Sequence, residues 1–388
     1  MKKLAIITTH PIQYNAPLFR LLTERKKINV KVFYTWGQSK NEVYDAKFGF
    51  TRSWDIPLLD GYEHEFVQNT SKHPDSNRFF GVINPGLTQQ LKNENFDALL
   101  IIRWNVYSHL LLLQTFGKTT KLFFRGDSHL LAKPKGIKGL FKKSILKLVY
   151  RKVDTAFFVG THNKAYFLQN GLTDRQLQYA PQAIDDIRFT KNLELLKTKA
   201  LNERTALNIP LNAVVFLYAG KFYALKQLDL LITSFQQLKG EQYRLLLVGN
   251  GEQEQYLKEL AKTDVRILFQ PFYNQSDMPW VYRMADVFVL PSKSETWGLG
   301  VNEAMVCGLP AIVSDQCGCA PELIVKGKTG FVFKTNNAAD LLKQLESFTT
   351  KEKAAAMAPN VQAHIQQFSY EKAAEVIENA VLAASINL

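Results

Sequence analysis

Short apolar runs that alternate with amphipathic helical stretches are the feature that most constrains this chain of 388 residues. In the second half the runs are AVVFLYAG at 213–220, RLLLVGNG at 244–251, DVFVLPS at 286–292, AIVSD at 311–315 and GFVF at 330–333. The first half repeats the theme with LAIITT, VKVFY, DALLII, KLFF and TAFFVG. Continuous apolar strands separated by helices indicate parallel sheets that are covered on both faces. We therefore predict an α/β protein with two doubly wound, Rossmann-like domains.

The polar stretch YAPQAIDDIRFTKN separates the two halves of this pattern. We place an N-terminal domain at residues 1–185 and a C-terminal domain at residues 186–369. A last helix is predicted within residues 370–388, and no strand follows it. The pattern alone therefore allows this helix to cover either domain.

Composition excludes several classes of protein. Apolar residues make up 46% of the chain and aromatic residues 12%, so the chain has enough material for real cores and is not disordered. The three cysteines all lie within residues 307–319, which excludes a disulfide scaffold and favours reduced thiols in a cytoplasmic protein. No apolar run reaches the ~18 to 20 residues of a membrane span, so we expect the chain not to cross a membrane.

The net charge of +13 favours an anionic partner, and the densest basic cluster lies at residues 133–152. Its lysines alternate with Ile137, Leu140, Phe141, Ile145, Leu148 and Val149. This pattern is typical of a helix in a lipid interface, and it fits equally a surface helix packed on its own domain. Nucleic acid is disfavoured as a partner, because the sequence has neither a Cys/His finger spacing nor the aromatic-rich basic strand of an RNA-binding sheet.

The strongest chemical signal is SETWGLGVNEAMVCGLPAIVSD at residues 294–315. Gly298 and Gly300 permit a close approach of the backbone to a ligand, and a helix is predicted to start near Val301. The N-terminus of such a helix favours phosphate, while Glu295 and Glu303 offer acceptor oxygens to hydroxyl groups. A ligand with both hydroxyls and phosphate, such as a nucleotide sugar, fits this pattern. The alternative is that Glu295 is a solvated loop charge and Glu303 an acid favoured only by the helix dipole.

Two lysines follow the strand that ends at Gly220. Lys221 comes directly after it, and Lys226 lies near the start of the next helix. Both could neutralise a diphosphate leaving group, and such cationic stabilisation accelerates transfer without a metal. The sequence has no Asp-x-Asp to hold a divalent cation, so we expect neither a metal nor a cofactor. The alternative is that each lysine is ordinary solvated surface.

The chain resembles glycosyltransferase family 4, whose members are retaining enzymes of the GT-B fold. The seven residues between Glu295 and Glu303 match the E-x7-E signature of that family, and the segments LYAGKFYALKQLDLLI and LLVGNGEQEQYL match two further family segments. Together these matches cover roughly residues 213–333. The resemblance implies two Rossmann-like domains that face a central cleft, a C-terminal helix that returns to the N-domain, and a nucleoside diphosphate sugar as donor substrate.

Carried over position by position, the resemblance also implies roles for single residues. Glu303 would hold the ribose, Glu295 the transferred sugar, and Lys221 and Lys226 the diphosphate. The remaining donor-side positions implied by the matching segments are Gly220, Gly249, Trp297, Gly298, Leu299, Gly300 and Val301.

The first half matches the family less well. After the first strand, His10, Gln13 and Tyr14 stand where many family members have a Gly-Gly loop that touches the donor. A later strand reads KLFFRGDSHL, so Arg125, Asp127 or His129 would take the place of the family's histidine near the reacting sugar. For Asp127 a role in a turn after Gly126 is the alternative.

These patterns lead to one functional hypothesis and two rivals. We expect a glycosyltransferase that moves a hexose from a nucleoside diphosphate sugar to a glycan or lipid-linked acceptor, in surface polysaccharide or glycoconjugate synthesis. It would act in the cytoplasm or at the inner face of the membrane. The rivals are a nucleotide-sugar epimerase on the same fold and a non-catalytic basic binder of membrane surfaces.

Overall fold

The structure is a computed structural model and describes residues 1–40, 43–45, 50–52, 54–117, 120–131 and 137–384. Within these residues the chain forms two compact units. Unit 1 comprises 1–43, 57–183 and 369–388, and unit 2 comprises 44–56 and 184–368. Residues 44–56 thus group with unit 2 rather than with the rest of the first half of the chain. One cause is a distant contact, because the Ser276 backbone N–H donates to the Asp55 carboxylate at 3.2 Å.

In the described part of the chain, nine strands precede residue 184. They are β1 (Lys3–Thr8), β2 (Asn29–Tyr34), β3 (Val43–Asp45), β4 (Phe50–Arg52), β5 (Glu63–Phe66), β6 (Ala98–Ile102), β7 (Lys121–Arg125), β8 (Thr155–Phe158) and β9 (Leu177–Tyr179). β3 and β4 form a two-stranded sheet, and the other seven form a sheet in the order β5-β2-β1-β6-β7-β8-β9. All neighbours in this sheet are parallel. The helices of this part are α1 (Ala16–Glu24), α2 (Leu87–Glu94), α3 (Tyr107–Thr115), α4 (Ile137–Tyr150) and α5 (Thr161–Gln169).

The sheet of unit 1 is buried on both faces, which explains why its strands are continuous apolar runs. Along β1, Leu4 and Ile6 point into one hydrophobic cluster. Ala5 and Ile7 point into a second cluster on the opposite face. Successive side chains of a strand face opposite ways, so a strand with two covered faces has no polar side.

Unit 2 is a second parallel α/β unit. Its strands after residue 184 are β10 (Val214–Ala219), β11 (Tyr243–Val248), β12 (Ile267–Gln270), β13 (Val287–Leu290), β14 (Ala311–Ser314) and β15 (Gly330–Phe333). They form a parallel sheet in the order β12-β11-β10-β13-β14-β15. Its helices are α6 (Asp186–Thr190), α7 (Leu193–Ala206), α8 (Leu228–Gln237), α9 (Glu254–Ala261), α10 (Met278–Arg283), α11 (Leu299–Val306), α12 (Ala320–Leu323), α13 (Ala338–Leu345), α14 (Lys351–Ala355) and α15 (Ala358–Ile365). The predicted fold class of doubly wound α/β units is confirmed.

The last helix, α16 (Tyr370–Leu382), lies in unit 1. Its N-cap residue Ser369 accepts a hydrogen bond from the Lys372 N–H, which satisfies one of the unpaired donors of the first turn. Ala373 and Ile377 are fully buried on the helix face that packs on α1. The chain thus leaves unit 1 after residue 183, forms most of unit 2, and ends in unit 1.

The basic segment at 133–152 contains α4, and its residues 133–136 lie outside the described residues. In the second half of α4, Leu146, Val149 and Tyr150 are buried in the core of unit 1. Lys147 and Leu148 are exposed. This part of the helix therefore fits the alternative of a surface helix packed on its own domain, since most of its apolar face is already covered.

The order of the strands creates a switch point in each sheet. In unit 2 the chain winds outward from β10 through β11 to β12, then returns to the other side of β10 for β13. In unit 1 the corresponding neighbours are β1 and β6. Ligands of open α/β sheets bind outside the carboxyl ends of the strands at such points. The loops after β1, β6, β10 and β13 are therefore the places to examine.

Candidate functional site

The loops after β10 and β13 meet at the switch point of unit 2. The Lys293 N–H donates to the Leu225 carbonyl at 2.8 Å, which fixes one loop against the other. At the far side of the β13 loop, the Glu295 N–H donates to the Gln316 carbonyl at 3.2 Å and the Gly318 N–H to the Glu295 carbonyl at 3.0 Å. The backbone at Glu295 is therefore held from two sides, and its side chain projects from a fixed point.

An ion pair joins Lys226 of the first loop to Glu295 of the second. The Lys226 side chain is 14% exposed and that of Glu295 is 19% exposed. Burial acts to lower the pKa of Lys226, but the charge and hydrogen bond of Glu295 more than offset it, so the pKa is raised. The predicted site residues from two distant segments are thus brought together, with the lysine firmly charged.

Glu303 is buried in α11 and accepts a hydrogen bond from the Tyr282 hydroxyl at 2.7 Å. Tyr282 lies on α10, which packs on α11. This contact was not predicted from the sequence, because it depends on how two helices pack. It holds one carboxylate oxygen of Glu303 in place.

The loop that leads into α11 has an unusual backbone at Gly298, whose φ is +104°. A Cβ at this position would lie 2.8 Å from Leu290 Cδ2, so a side chain is excluded by both strain and space. The adjacent Trp297 is buried, and its indole N–H donates to Asn302 Oδ1 at 2.9 Å. The N-terminus of α11, which starts at Leu299, is therefore rigidly positioned.

Three other glycines of the predicted site serve the packing of the protein. A Cβ on Gly300 would lie 3.2 Å from Phe288 Cζ and 3.3 Å from Tyr282 Oη. A Cβ on Gly249 would lie 1.9 Å from the Gly220 carbonyl oxygen, so the loops after β10 and β11 approach too closely for a side chain. Gly220 has a φ of +153°, and a Cβ on it would lie 3.0 Å from Tyr218 Oη, so packing and backbone favour glycine at all three positions without reference to a ligand.

The other donor-side candidates lie around the same loops. The Lys221 carbonyl accepts from the Tyr218 hydroxyl at 2.9 Å. Val301 is buried, and its N–H donates to the Gly298 carbonyl at 2.8 Å. A helix leaves its first N–H groups without partners inside the helix, so the start of α11 offers donors to an anion.

In unit 1, Arg125 and His129 have structural partners. The Arg125 guanidinium is buried and donates to the carbonyls of Ala180 and Pro181 at 3.0 and 3.1 Å. Burial lowers the pKa of Arg125 to about 10. His129 is buried as well, and its Nδ1 accepts from the Leu131 N–H at 3.0 Å. Both side chains order the loops after β7 and β9.

The candidates after β1 also have neighbours within unit 1. His10 Nδ1 lies 2.9 Å from Thr9 Oγ1, and its ring meets that of Trp36 edge-on at 5.6 Å. The Tyr14 carbonyl accepts from the Tyr370 hydroxyl at 3.0 Å. Gln13 is half-buried in the same turn.

A cavity of about 430 Å³ opens at the carboxyl ends of β6 and β7 in unit 1. Asp127, one of the predicted residues, lines it and is exposed. Arg103, Trp104 and Asn105 also line it, and the sequence analysis missed all three. They directly follow the predicted strand DALLII, so the rule of examining residues after each strand would have found them.

Metal ligation, thiol chemistry and membrane insertion find little support in the described residues. No group of three or more His, Cys, Asp or Glu side chains in the described ranges is arranged to hold a metal ion. Burial raises the pKa values of Cys307 and Cys317 to about 12, so these thiols are poor nucleophiles. None of the helices that the structure describes is both long and apolar enough to cross a membrane.

Residues 200–364 match the family model of glycosyl transferases group 1. This confirms the family resemblance over the part of the chain that carries the Lys226–Glu295 pair and Glu303. The chain is 29% identical over 214 residues to a D-inositol 3-phosphate glycosyltransferase of Saccharomonospora viridis, a match that covers 51% of this chain and 49% of the relative. It is 27% identical over 208 residues to the sulfoquinovosyl transferase SQD2 of Arabidopsis thaliana, covering 53% and 39%. The chain thus spans less than half the length of these curated relatives.

Solved structures show the same fold over the whole chain. The sucrose-phosphate synthase of Thermosynechococcus elongatus aligns with a TM-score of 0.74 and 18% identity, covering 99% of this chain and 100% of the other. The HepE protein of Anabaena, solved with UDP and glucose, aligns with a TM-score of 0.70 and 17% identity, covering 99% and 100%. At this level of identity the similarity establishes the fold, and the GT-B expectation is confirmed.

Proposed function

We propose that the protein is a glycosyltransferase that moves a hexose from a nucleoside diphosphate sugar to a hydroxyl of a glycan or lipid-linked acceptor. The observation that carries this proposal is the Lys226–Glu295 ion pair at the switch point of unit 2. A charged lysine and a carboxylate stand there together, in the region that matches glycosyl transferases group 1. The names of the relatives, which are transferases of sugars, support it.

Each part of the donor has a proposed partner in unit 2. The diphosphate meets Lys221, Lys226 and the N–H groups at the start of α11, which together supply positive potential. Glu303 accepts from the ribose hydroxyls. Glu295 accepts from hydroxyls of the transferred hexose. Lys226 remains next to Glu295 in this arrangement, so the ion pair connects the sugar end and the phosphate end of the donor.

The proposed reaction breaks the bond between the anomeric carbon and the diphosphate oxygen. The acceptor hydroxyl oxygen forms a new bond to the same carbon on the same face, so the configuration is retained. Its proton passes to an oxygen of the departing diphosphate. No metal or cofactor is required, because the lysines and helix dipole stabilise the charge that develops on the leaving group.

Nucleotide binding tests the donor site. We would titrate UDP, GDP and ADP against the protein by calorimetry without added metal. One of them should bind, and Lys226→Ala and Glu303→Ala should each weaken binding by ~1 to 3 kcal/mol because a charged hydrogen bond is lost. Lys258→Ala is the matched control, since this lysine on α9 is exposed and forms its ion pair with its helix neighbour Glu254. Unchanged binding in both site variants would contradict the proposal.

Turnover distinguishes a transferase from the rival epimerase. The protein is incubated with UDP-glucose, GDP-mannose or ADP-glucose without an acceptor, and the sugar nucleotide is followed by NMR. A transferase should leave the donor intact or release the sugar slowly to water with its configuration retained. An epimerised sugar nucleotide would refute the transferase proposal.

We also propose that unit 1 contacts an anionic membrane surface. The support is an exposed surface, formed by the packed helices α3 and α4 and by segments next to them, that combines aromatic and basic side chains. We define this surface by Phe79, Phe80, Tyr107, Leu111, Lys147, Leu148 and Arg151, all of which are exposed. The three aromatic rings contact one another at centroid distances of 4.8 to 6.3 Å. Tyrosine suits the membrane–water interface, and each lysine or arginine near anionic lipid adds about 1 kcal/mol.

Vesicle flotation tests this contact. The protein should bind vesicles of phosphatidylglycerol and phosphatidylcholine more strongly than vesicles of phosphatidylcholine alone. Binding should fall with added salt and in the variant Lys147→Glu/Arg151→Glu, because exposed charges are screened or reversed. Phe80→Ser should weaken it further, while Lys258→Glu on unit 2 serves as the control. Equal binding to both vesicle types would refute the proposal.

A further inference from the structure

Tyr282 reaches from α10 to α11, the helix that carries Glu303. Its hydroxyl donates to Glu303 Oε2 at 2.7 Å, and both side chains are buried. A hydrogen bond from a hydroxyl to a carboxylate is among the shorter and stronger kinds. Burial strengthens it further, because the surroundings are less polar than water and no solvent competes for the carboxylate.

Gly300 makes room for this contact. It lies three residues before Glu303 on α11, so the two positions share one face of the helix. A Cβ at Gly300 would lie 3.3 Å from Tyr282 Oη and 3.2 Å from Phe288 Cζ. Both distances are tighter than nine in ten Cβ contacts, so a side chain there would press on the hydroxyl. The missing side chain at Gly300 therefore belongs to the same arrangement as the hydrogen bond.

The ring of Tyr282 is fixed independently of its hydroxyl. It packs on the ring of Phe288 in β13 at a centroid distance of 5.6 Å and on that of Phe189 in α6 at 6.0 Å. The next residue, Arg283, donates to the Phe189 carbonyl at 2.6 Å and to Cys307 Sγ at 3.1 Å. These contacts connect α10 to α6 and to the end of α11. Removing the phenol oxygen alone would therefore leave the packing of the ring in place.

Glu303 needs such a partner, because the backbone does not determine where its carboxylate lies. A glutamate side chain turns about three torsions and can adopt several rotamers. Hydrogen bonds weaken steeply when their angle departs from linearity, so a carboxylate that turns freely accepts poorly from two hydroxyls on a rigid ring. The helix cannot move to compensate, since Asn302 beside Glu303 accepts from the buried Trp297 indole at 2.9 Å.

We infer that Tyr282 is a positioning residue, which orients Glu303 so that the site selects ribonucleotides over 2′-deoxyribonucleotides. This inference rests on the proposed function, under which Glu303 accepts from the ribose hydroxyls. It narrows the donor to a ribonucleoside diphosphate sugar and disfavours a deoxythymidine diphosphate sugar. A 2′-deoxyribose lacks one of the two hydroxyls, and a site built to bond a hydroxyl discriminates strongly against the analogue without it.

Paired nucleotides test this inference on the full chain. UDP, GDP and ADP and their 2′-deoxy counterparts are titrated by calorimetry, and the ratio of the two dissociation constants is taken for the base that binds. The wild type should bind the ribonucleotide about tenfold more tightly or better, the effect of one lost charged hydrogen bond. In Tyr282→Phe the ratio should fall to about threefold or less, mainly because the ribonucleotide binds more weakly. A tyrosine with a merely structural role would weaken both nucleotides equally and leave the ratio unchanged.

Three further variants separate positioning from other effects. Gly300→Ala should lower the ratio as well, because its Cβ presses on the Tyr282 hydroxyl, whereas a direct clash with the nucleotide would affect both members of a pair. Glu303→Ala sets the lower limit of the ratio, and adding Tyr282→Phe to it should change the ratio no further. Tyr256→Phe is the matched control, since this tyrosine on α9 is exposed, and it should keep the wild-type ratio.

The possible outcomes distinguish this inference from the proposed function. An unchanged ratio in Tyr282→Phe, or a wild type that binds both members of a pair equally, overturns the positioning role and leaves the donor site standing. If Tyr282→Phe does not fold, the ratio in Gly300→Ala decides in the same way. A wild type that binds none of the three ribonucleotides overturns the proposed function, and the positioning role with it.

Discussion

His109 makes the stability of unit 1 depend on pH. It is fully buried on α3, with Nδ1 3.0 Å from the Arg103 carbonyl and Nε2 2.8 Å from Thr35 Oγ1. A neutral imidazole satisfies both contacts by donating to the carbonyl and accepting from the hydroxyl. Burial lowers its pKa from the ordinary 6.5 to about 4, and the nearby positive charge of Arg103 acts in the same direction.

The size and sign of the effect follow from this pKa. Because the folded pKa lies below the unfolded one, the contribution is fully present above pH 6.5 and is lost as the pH falls from 6.5 to 4. A difference of one pKa unit corresponds to about 1.4 kcal/mol, so His109 accounts for about 3 kcal/mol over this range. That is a large share of the ~5 to 15 kcal/mol by which proteins are stable.

Replacing His109 by Asn removes the titrating group and keeps a donor near the position of Nδ1. Urea unfolding is followed by pulse-labelling hydrogen exchange of peptides from β1 and β6, which reports on unit 1 alone. Between pH 6.5 and 4, the free energy of unfolding should fall by about 3 kcal/mol more in the wild type than in His109→Asn. The control His73→Asn alters an exposed histidine. If the wild type and His109→Asn lose equal stability over this range, His109 is not held neutral and the argument fails.

Three further predictions concern stability measured by urea unfolding. Lys226→Met and Glu295→Gln should each lower the free energy of unfolding by ~2 to 3 kcal/mol, because each single change leaves a largely buried charge without its partner. The double variant should lose less than the sum of the two single variants. Simple additivity would contradict the ion pair. Arg103→Gly should be more stable than Arg103→Ala by about 1 kcal/mol, since only glycine adopts a φ of +70° freely; the reverse order would contradict the strain. Gly298→Ala should lower the free energy of unfolding by ~1 to 3 kcal/mol, because the alanine Cβ would lie 2.8 Å from Leu290 Cδ2. An unchanged midpoint of the unfolding transition would show that the loop relaxes.

The two sheets could be predicted from the sequence because strands that are buried on both faces are apolar at every position. Leu4, Ala5, Ile6 and Ile7 alternate between two hydrophobic clusters, so the run is apolar throughout. The division into units was harder to predict. The contact of Asp55 with Ser276 spans 221 positions in the sequence, and no local pattern encodes it.

The candidate site shows the same limit at the level of side chains. The sequence placed Lys226, Glu295 and Glu303 after the correct strands, because position in a parallel sheet follows from chain order. It did not predict that Tyr282 holds Glu303, which depends on the packing of α10 against α11. It attributed Gly300 to ligand approach, and the structure adds a packing reason, because a Cβ there would lie 3.2 Å from Phe288 Cζ and 3.3 Å from Tyr282 Oη.

The Lys226–Glu295 pair changes how the site is understood. The family resemblance assigns the lysine to the diphosphate and the acid to the sugar, as two separate contacts. In the structure each is the partner of the other, and a lysine so placed stays charged despite its burial. A buried charge without a partner would be costly before the donor arrives, and the pair avoids that cost. Under the proposed function the carboxylate has two tasks, since it keeps the cation in the site when the donor is absent and accepts from the sugar when the donor is bound. This is why neutralising Glu295 should weaken the binding of UDP, GDP or ADP, which have no transferred sugar for Glu295 to contact.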